Sequence, residues 1–302
     1  MNIIIKSARV YRAKLPATAE LMANHLTELA FTELGEHDYC RSGFVPAGDG
    51  TQELVRTLPG SHIRVFATRY DEKIIPAAAV KAALAKRCDE IAELEGYRPG
   101  RKWVRELRDE VFAELKTRAL HRSTVVLGFY NPGTHALVLA TSSNKLAARV
   151  ISDLVKVVGS VETTTIHVDE LKQGLTTRLT DHLAGKDSFG DFEPAGAYWL
   201  RLDNEKVTIQ ASSDEGPLRE AMSNGLQVDA IRLNHHAVTF KLGADFVFRG
   251  ISFTDLEEEQ PADDAFEAWG LEALFQFMNL EAAIDALCEL VGYVPPGSAT
   301  TD

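Results

Sequence analysis

The chain has 302 residues, of which 45% are hydrophobic and 25% are charged, with 21 glycines and 11 prolines. These proportions are typical of a globular protein and exclude the disordered, collagen-like and low-complexity classes. At about 100–200 residues per domain, the length predicts two domains or one large domain with an inserted part. No apolar run reaches the roughly 18 residues that a membrane helix needs, so we expect no membrane contact. The apolar stretch near the N-terminus is too short for the signal-peptide pattern.

The chain carries 32 basic and 44 acidic side chains, a net charge of −12. Such an excess of acid ordinarily argues against a nucleic-acid partner. However, residues 251–302 contain twelve acidic residues and neither lysine nor arginine. The first 250 residues are therefore neutral overall, and the argument from net charge does not apply to them.

The three cysteines, Cys40, Cys88 and Cys288, lie far apart in the sequence and have no CxxC spacing. We therefore expect neither a disulfide framework nor a zinc site, and the reducing cytoplasm is the expected compartment.

Hydrophobic periodicity, capping residues and turn residues predict the secondary structure in chain order. The predicted elements are a strand over residues 2–14, a helix capped by Thr18, a loop over residues 43–60, a strand over 62–69, helices over 77–95 and 101–116, a β-hairpin over 124–141, a helix over 143–158, a strand over 161–168, β-rich stretches over 197–210 and 237–253 around a short helix at 217–223, and a long helical region over 266–293. The helices over 77–95 and 101–116 form a helical hairpin that projects from a sheet. The apolar stripe of the C-terminal helical region is typical of a core, and a dimer interface is the alternative.

Catalytic motifs are absent from the sequence. Gly48 to Thr51 lacks the lysine of a phosphate-binding loop, and neither GxGxxG nor GxSxG occurs. His235 and His236 are adjacent, and neighbours on a strand point to opposite faces, so they are not expected to share a metal ion. We expect no catalytic residue, no metal and no cofactor.

Two acidic groups are the candidates for a magnesium-dependent nuclease, which needs two or three clustered carboxylates. They are Asp187, Asp191 and Glu193, and the run Asp255, Glu257, Glu258, Glu259, Asp263 and Asp264. A solvated loop and an exposed linker are the favoured interpretations of these two stretches.

Basic residues are concentrated between residues 98 and 122, where eight stand against four acids. Arg101, Lys102, Arg105 and Arg108 have the spacing i, i+1, i+4 and i+7 and are expected on one helix face. Such a face can follow phosphates without reading bases. The alternative is a solvated helix in which Arg101 or Arg105 pairs with Asp109.

Several motifs, in this order and spacing, resemble the RdgC family of recombination-associated proteins. They are Val10-Tyr11-Arg12, Gly43-Phe44-Val45-Pro46, Glu72-Lys73-Ile74-Ile75-Pro76 followed by Val80-Lys81-Ala82-Ala83-Leu84, Arg108-Asp109-Glu110-Val111, Arg118-Ala119-Leu120-His121-Arg122-Ser123, Ala140-Thr141-Ser142-Ser143 and Lys156-Val157-Val158-Gly159-Ser160. The motifs that carry the resemblance are spread over roughly residues 1–160.

The resemblance implies an α/β (α+β) fold with a central sheet-and-helix domain over residues 1–76 and 117–170. A helical tip is inserted at residues 77–116, and a β-rich and helical base with acidic C-terminal helices occupies residues 171–302. It also implies a ring-shaped homodimer that encircles duplex DNA without sequence preference and restrains RecA-dependent recombination. We expect such a protein to be nucleoid-associated. Single-stranded DNA and RecA itself are further candidate partners.

The same resemblance assigns the site residues. The expected DNA-binding residues are Arg98, Arg101, Lys102, Arg105, Arg108, Lys116, Arg118 and Arg122. The expected dimer contact at the tip is made by Leu120 and His121. The chain departs from the family at two places. Relatives carry an aromatic residue in the segment that contains Leu120 and His121, where this chain has Leu120 instead. Relatives also carry lysines near the position of Gln210-Ala211-Ser212-Ser213, which is uncharged in this chain.

Three functions therefore remain open from the sequence. The first is a DNA-encircling homodimer, the second a magnesium-dependent nuclease, and the third an acidic module that binds a protein through residues 266–293 without touching DNA.

Overall fold

The computed structural model describes residues 4–48, 52–162, 164–165, 171–210, 214–254 and 265–293. It confirms the mixed helix-and-sheet class. The described helices are α1 (Ala19–Thr27), α2 (Ala77–Glu95), α3 (Arg101–Arg118), α4 (Asn144–Val158), α5 (Leu171–Leu183), α6 (Gly216–Ser223) and α7 (Ala265–Leu290). The described strands are β1 (Ser7–Arg12), β2 (Cys40–Val45), β3 (Val55–Thr57), β4 (Arg64–Lys73), β5 (His121–Asn131), β6 (Ala136–Leu139), β7 (Thr164–Thr165), β8 (Glu193–Leu202), β9 (Glu205–Gln210), β10 (Gln227–His235), β11 (Val238–Gly243) and β12 (Phe248–Phe253).

The chain divides into two compact units, each assembled from separate segments. The larger unit comprises Met1–Glu28, Pro46–Ala67 and Val126–Asp302, and the smaller unit comprises Leu29–Val45 and Thr68–Val125. Strands β4 and β5 contribute residues to both units. The predicted helical insertion over residues 77–116 falls wholly within the smaller unit, whereas the predicted boundaries of a central domain and a base stay a prediction.

The larger unit is built on an antiparallel sheet with the strand order β4-β5-β6-β1-β12-β11-β10-β8-β9, with β3 paired to β4 and β7 to β1. The N-terminal strand β1 lies in its interior, where Arg9 is opposite Leu139 of β6 and Ser7 is opposite Arg249 of β12. Helix α7 packs its apolar side chains into the core, and Phe277 stacks on Phe129 of β5 with 5.8 Å between ring centroids.

The smaller unit places β2 beside β4 and β4 beside β5, and the hairpin of α2 and α3 connects the latter two strands. The fixed backbone angle of Pro76 suits the start of α2, which ends at Gly96 with a φ of 75°. The segments that precede α2 and follow α3 are joined by a backbone hydrogen bond, in which the Ile74 amide donates to the Leu120 carbonyl with 2.8 Å between N and O.

Several predicted helix boundaries are confirmed. The Thr18 hydroxyl accepts from the Leu21 amide at 3.1 Å, which satisfies one of the free donors at the start of α1. Gly159 follows the last residue of α4 with a φ of 84°. The short helix α6 and the long helix α7 also form as predicted, and most of the apolar stripe of α7 is buried.

The predicted loop over residues 43–60 is wrong in part, because residues 43–45 belong to β2 and Val55–Thr57 forms β3. Gly43 lies in strand β2 rather than in the predicted loop. A Cβ at this position would lie 2.6 Å from the Phe31 Cα, so glycine here permits a close approach between two backbones.

Besides β2 and β3, two further elements have no counterpart in the prediction. Helix α5 is the first, although its buried leucines recur every fourth residue at Leu171, Leu175, Leu179 and Leu183. Strand β10 is the second. Of the strand predicted over residues 161–168, Thr164–Thr165 forms β7, and residues 163 and 166–168 lie outside the described part of the chain.

Candidate nucleic-acid interface

A groove of about 730 Å³ runs between α2 and α3 within the smaller unit. Its lining residues are Ile75, Ala77, Val80, Lys81, Leu84, Arg101, Val104, Arg105, Arg108, Asp109 and Phe112. The volume lies in the range of ordinary binding sites, about 300–1,000 Å³. The groove therefore joins the basic residues of both helices in one surface, which the hairpin holds in place.

Helical periodicity explains why these arginines share the groove. Leu107 and Val111 are buried. Arg101, Arg105 and Arg108 are spaced by four and three residues, so their side chains line the adjacent face. Lys102 is about 100° further round the helix than Arg101 and does not line the groove, and its assignment as a DNA-binding residue stays a prediction.

The cations of the groove have no carboxylate neutralising them. Within the described parts of the chain, Lys81, Arg101, Arg105 and Arg108 make no ion pair within 4.0 Å. The pairs that we considered between Asp109 and Arg101 or Arg105 are not formed. Asp109 is the single acidic residue in the lining, so the groove has a net positive charge.

The remaining predicted DNA-binding residues lie outside the groove. Arg98 pairs with Asp89 at 3.2 Å, and Arg118 pairs with Glu114 at 3.6 Å. Lys116 is half-buried near the end of α3, and Arg122 is exposed on β5. The structure therefore brings Arg101, Arg105 and Arg108 together and leaves the other five predicted residues elsewhere.

Lys81 is the groove residue that the sequence analysis missed. It lies on α2, outside the stretch in which the basic residues are concentrated, and lines the groove with the arginines of α3. The available signal was the helical hairpin itself, since two antiparallel helices bring basic residues from both into one surface.

The segment expected to make the tip contact follows α3 directly. The Leu120 side chain is 80% exposed, and the neighbouring His121 places its Nε2 3.5 Å from Asp71 Oδ2. Asp71 is fully buried and accepts two hydrogen bonds from Arg69. Burial raises the pKa of the Asp71 carboxyl, but the hydrogen bonds from Arg69 and Ser123 outweigh it and hold the pKa below its ordinary value. A buried anion thus lies beside His121 of the segment expected to make the tip contact.

Charge is unequally divided between the two units. The smaller unit contains 14 basic and 13 acidic side chains, whereas the larger unit contains 18 basic and 31 acidic ones. The negative charge of the chain therefore belongs to the larger unit, and the smaller unit offers a surface that does not repel a polyanion.

The candidate nuclease residues form no metal centre in the described part of the chain. Asp187, Asp191 and Glu193 are exposed, and no three His, Cys, Asp or Glu side chains come together to hold a metal ion in the described residues. The candidates between Asp255 and Asp264 lie outside the described residues, as do residues 211–213 of the segment compared with the lysines of relatives.

The adjacent histidines do not point to opposite faces as predicted. His236 leaves the strand with a φ of 47°, and its ring lies 4.3 Å from the buried His235 ring. Burial, and then the neighbouring His236, lower the pKa of His235.

None of the described helices is both long enough and apolar enough to cross a membrane.

Comparison with known proteins identifies the family. The family model described as "Putative exonuclease, RdgC" matches residues 3–293. Proteins named "Recombination-associated protein RdgC" match nearly the whole chain. The protein from Neisseria meningitidis serogroup C / serotype 2a is 25% identical over 288 residues, covering 94% of either chain. That from Halorhodospira halophila is 29% identical, covering 93% of this chain and 92% of the relative, and that from Aeromonas hydrophila is 27% identical, covering 95% and 97%. The name of these relatives states a link to recombination and no enzymatic activity. Because the family model matches almost the whole chain, this chain belongs to the RdgC family.

Proposed function

We propose that this chain binds duplex DNA without sequence preference, that it does so as a ring-shaped homodimer, and that by occupying DNA it restrains RecA-dependent recombination. In this role the protein is not an enzyme and works at the nucleoid. The binding surface is the groove between α2 and α3.

The observation that carries this proposal is the set of four cations in the groove, Lys81, Arg101, Arg105 and Arg108, which have no acidic partner among the described residues. Phosphate contacts of this kind release counterions and give affinity without reading bases. The names of the relatives, which link them to recombination, agree with a protein that acts on DNA.

A homodimer is supported by the exposed apolar side chains beside the hairpin. Leu120 is 80% exposed and Ile74 is 54% exposed, and the two residues are joined by a backbone hydrogen bond. Burying such side chains against a second copy recovers free energy that the monomer does not gain. A closed ring also retains DNA topologically, so that few phosphate contacts suffice for a chain with a negative net charge.

The description of the family model favours a second candidate, an exonuclease. A labelled duplex incubated with the protein and Mg²⁺ or Mn²⁺ distinguishes the two. We expect the duplex to remain intact, whereas shortening from its ends would replace the present proposal with nuclease activity.

The third candidate, an acidic module that binds protein through residues 266–293, receives less support. Phe266, Phe277, Ile284 and Leu287 are buried in the core of the larger unit. These side chains are therefore not free to contact a partner without unfolding α7.

DNA binding is tested by fluorescence anisotropy with a labelled duplex of arbitrary sequence. If each protomer of the dimer neutralises about four phosphates, about eight in all, the affinity should fall roughly 10⁴-fold between 50 and 200 mM salt. The variant Arg101→Gln/Arg105→Gln removes four cations from the dimer and should therefore bind more weakly and lower the slope of log affinity against log salt by about 4.

The matched control is Lys86→Gln/Arg87→Gln, which removes the same charge from α2 at positions that do not line the groove. We expect its salt slope to stay close to that of the wild type. Equal losses in both variants would show that general charge rather than the groove binds DNA, and a wild type that binds no DNA would refute the proposal.

A further inference from the structure

The groove between α2 and α3 has an apolar floor as well as a basic rim. Val80 is buried at its base, and Leu84, Val104 and Phe112 are half-buried along it. The Phe112 ring also packs against Tyr39, with 5.8 Å between the ring centroids. Apolar side chains thus line the same surface as Lys81, Arg101, Arg105 and Arg108.

A DNA backbone uses only part of this surface. Phosphates pair with the basic rim, but the sugar-phosphate backbone has no apolar side chain with which to cover the floor. If the apolar floor stays in contact with water when DNA binds, the complex does not gain the free energy of burying it, about 25 cal/mol per Å². The ligand that satisfies both parts of the groove carries carboxylates together with apolar side chains.

We propose that this groove also docks an acidic peptide segment of a partner protein, with apolar side chains on one face. The carboxylates pair with the arginines and the lysine of the rim, and the apolar side chains cover Leu84, Val104 and Phe112. This is the arrangement by which an amphipathic helix lies in a groove, with charge complementarity fixing its orientation. Peptide docking itself does not depend on DNA binding, whereas competition between the two ligands rests on the proposed function.

Charge complementarity is the reason for choosing an acidic partner. Four cations and one carboxylate line the groove, so a basic or neutral segment would leave the cations without counter-charges as it displaced their water. An acidic segment replaces that water with charge-assisted hydrogen bonds, which are the stronger kind.

The proposal is tested with a fluorescein-labelled peptide of about four helical turns in which leucine recurs every three or four residues among glutamates. Two control peptides replace all leucines by serine or all glutamates by glutamine. In anisotropy titrations against the full chain, without DNA, we expect saturable binding of the first peptide and at least about tenfold weaker binding of either control. Absence of saturable binding, or equal binding of the serine peptide, would overturn the proposal.

The variant Leu84→Gln tests the floor while leaving every cation in place. We expect it to weaken peptide binding about tenfold, because one apolar contact is lost. The matched control is Leu94→Gln on the same helix, at a side chain that is 85% exposed and does not line the groove. Unchanged peptide affinity in Leu84→Gln would refute the proposed floor. If Leu84→Gln does not fold, Val104→Thr makes the same test with a nearly isosteric side chain.

Competition then relates the two ligands of the groove. Adding the unlabelled peptide should displace the labelled duplex, and the serine peptide should displace it less at the same concentration. A peptide that binds directly but never displaces DNA would place the DNA contacts elsewhere, which refutes the DNA site and leaves the peptide site standing. DNA binding without peptide binding would refute the peptide site alone.

Discussion

Arg69 holds Asp71 with two parallel hydrogen bonds, from Nε to Oδ1 at 2.9 Å and from Nη2 to Oδ2 at 2.8 Å. The carboxylate is fully buried, and the Arg69 guanidinium also lies over the Phe31 ring at 4.4 Å from its centroid. Both residues lie on β4, two positions apart, so their side chains share one face of the strand. The pair also lies close to His121 of β5, whose Nε2 is 3.5 Å from Asp71 Oδ2.

Removal of the buried carboxylate should destabilise the protein strongly. We expect Asp71→Asn to lower the free energy of unfolding by about 2–3 kcal/mol, because the Arg69 charge then loses its partner. The control Asp285→Asn breaks the exposed pair with Arg12 and should cost about 1 kcal/mol or less. Urea denaturation of both variants measures the difference, and equal losses would contradict the importance of burial at Asp71.

Acid sensitivity should depend on Asp245, which accepts hydrogen bonds from Arg249 at 2.9 and 2.6 Å. Burial raises the pKa of Asp245, but the Arg249 hydrogen bonds outweigh it and the folded pKa lies below the unfolded one. Its contribution to stability is therefore present above the unfolded pKa, near 4, and is lost as the pH falls through the folded pKa. Urea denaturation should show the deficit of Asp245→Asn at pH 7 shrinking at about pH 3. A deficit independent of pH would contradict the linkage.

The three cysteines should differ in reactivity. Burial raises the pKa of Cys288 to about 11, so very little thiolate forms near neutral pH, whereas Cys40 and Cys88 are half-exposed. We expect N-ethylmaleimide to modify Cys40 and Cys88 first in the native protein and Cys288 only after denaturation. Peptide mass spectrometry over a time course decides this, and rapid native labelling of Cys288 would show that α7 opens readily.

Glycine replacements should have opposite effects at two positions. A Cβ on Gly128 would lie 2.2 Å from Phe66 Cζ within the sheet, so Gly128→Ala should destabilise the protein by about 2–3 kcal/mol. On Gly174 in α5 a Cβ would meet nothing within 4 Å, and Gly174→Ala should stabilise it by about 0.5–1 kcal/mol. Thermal unfolding of both variants checks the signs, and a stable Gly128→Ala protein would show that the Phe66 ring moves freely.

Lys81 should matter for DNA although it lies outside the basic stretch of α3. We expect Lys81→Gln to weaken duplex binding severalfold and to lower the salt slope by about 2, because each of the two protomers of the dimer loses one phosphate contact. Lys86→Gln, on the same helix but outside the groove, should leave the slope unchanged. Equal slopes for both variants and the wild type would remove Lys81 from the interface.

The helical hairpin and its arginines could be predicted because they depend on local order. Periodicity sets the face that Arg101, Arg105 and Arg108 share, and Pro76 and Gly96 mark the ends of α2. By contrast, the role of Gly43 depends on the backbone of Phe31, which local patterns do not encode. The sequence therefore indicates a loop at Gly43, where the structure has strand β2.

The contacts of the site that escaped prediction depend on the pairing of separate elements. Lys81 joins the arginines only because α2 packs against α3, and His121 approaches Asp71 only through the register of β5 on β4. Strand register is set by long-range packing rather than by neighbouring residues. Patterns within one segment of the chain therefore predict the arginines of α3, but neither the position of Lys81 nor the contact between His121 and Asp71.

The position of β1 has a consequence for synthesis of the protein. Ser7 and Ala8 pair with Arg249 and Phe248 of β12, so the N-terminal strand lacks one of its neighbours until about 250 residues have been made. At about 5–20 residues per second, translation leaves that edge of β1 open for on the order of tens of seconds. An open strand edge is a template for pairing with other chains. The nascent protein is thus most exposed to aggregation on the ribosome, before β12 closes the sheet.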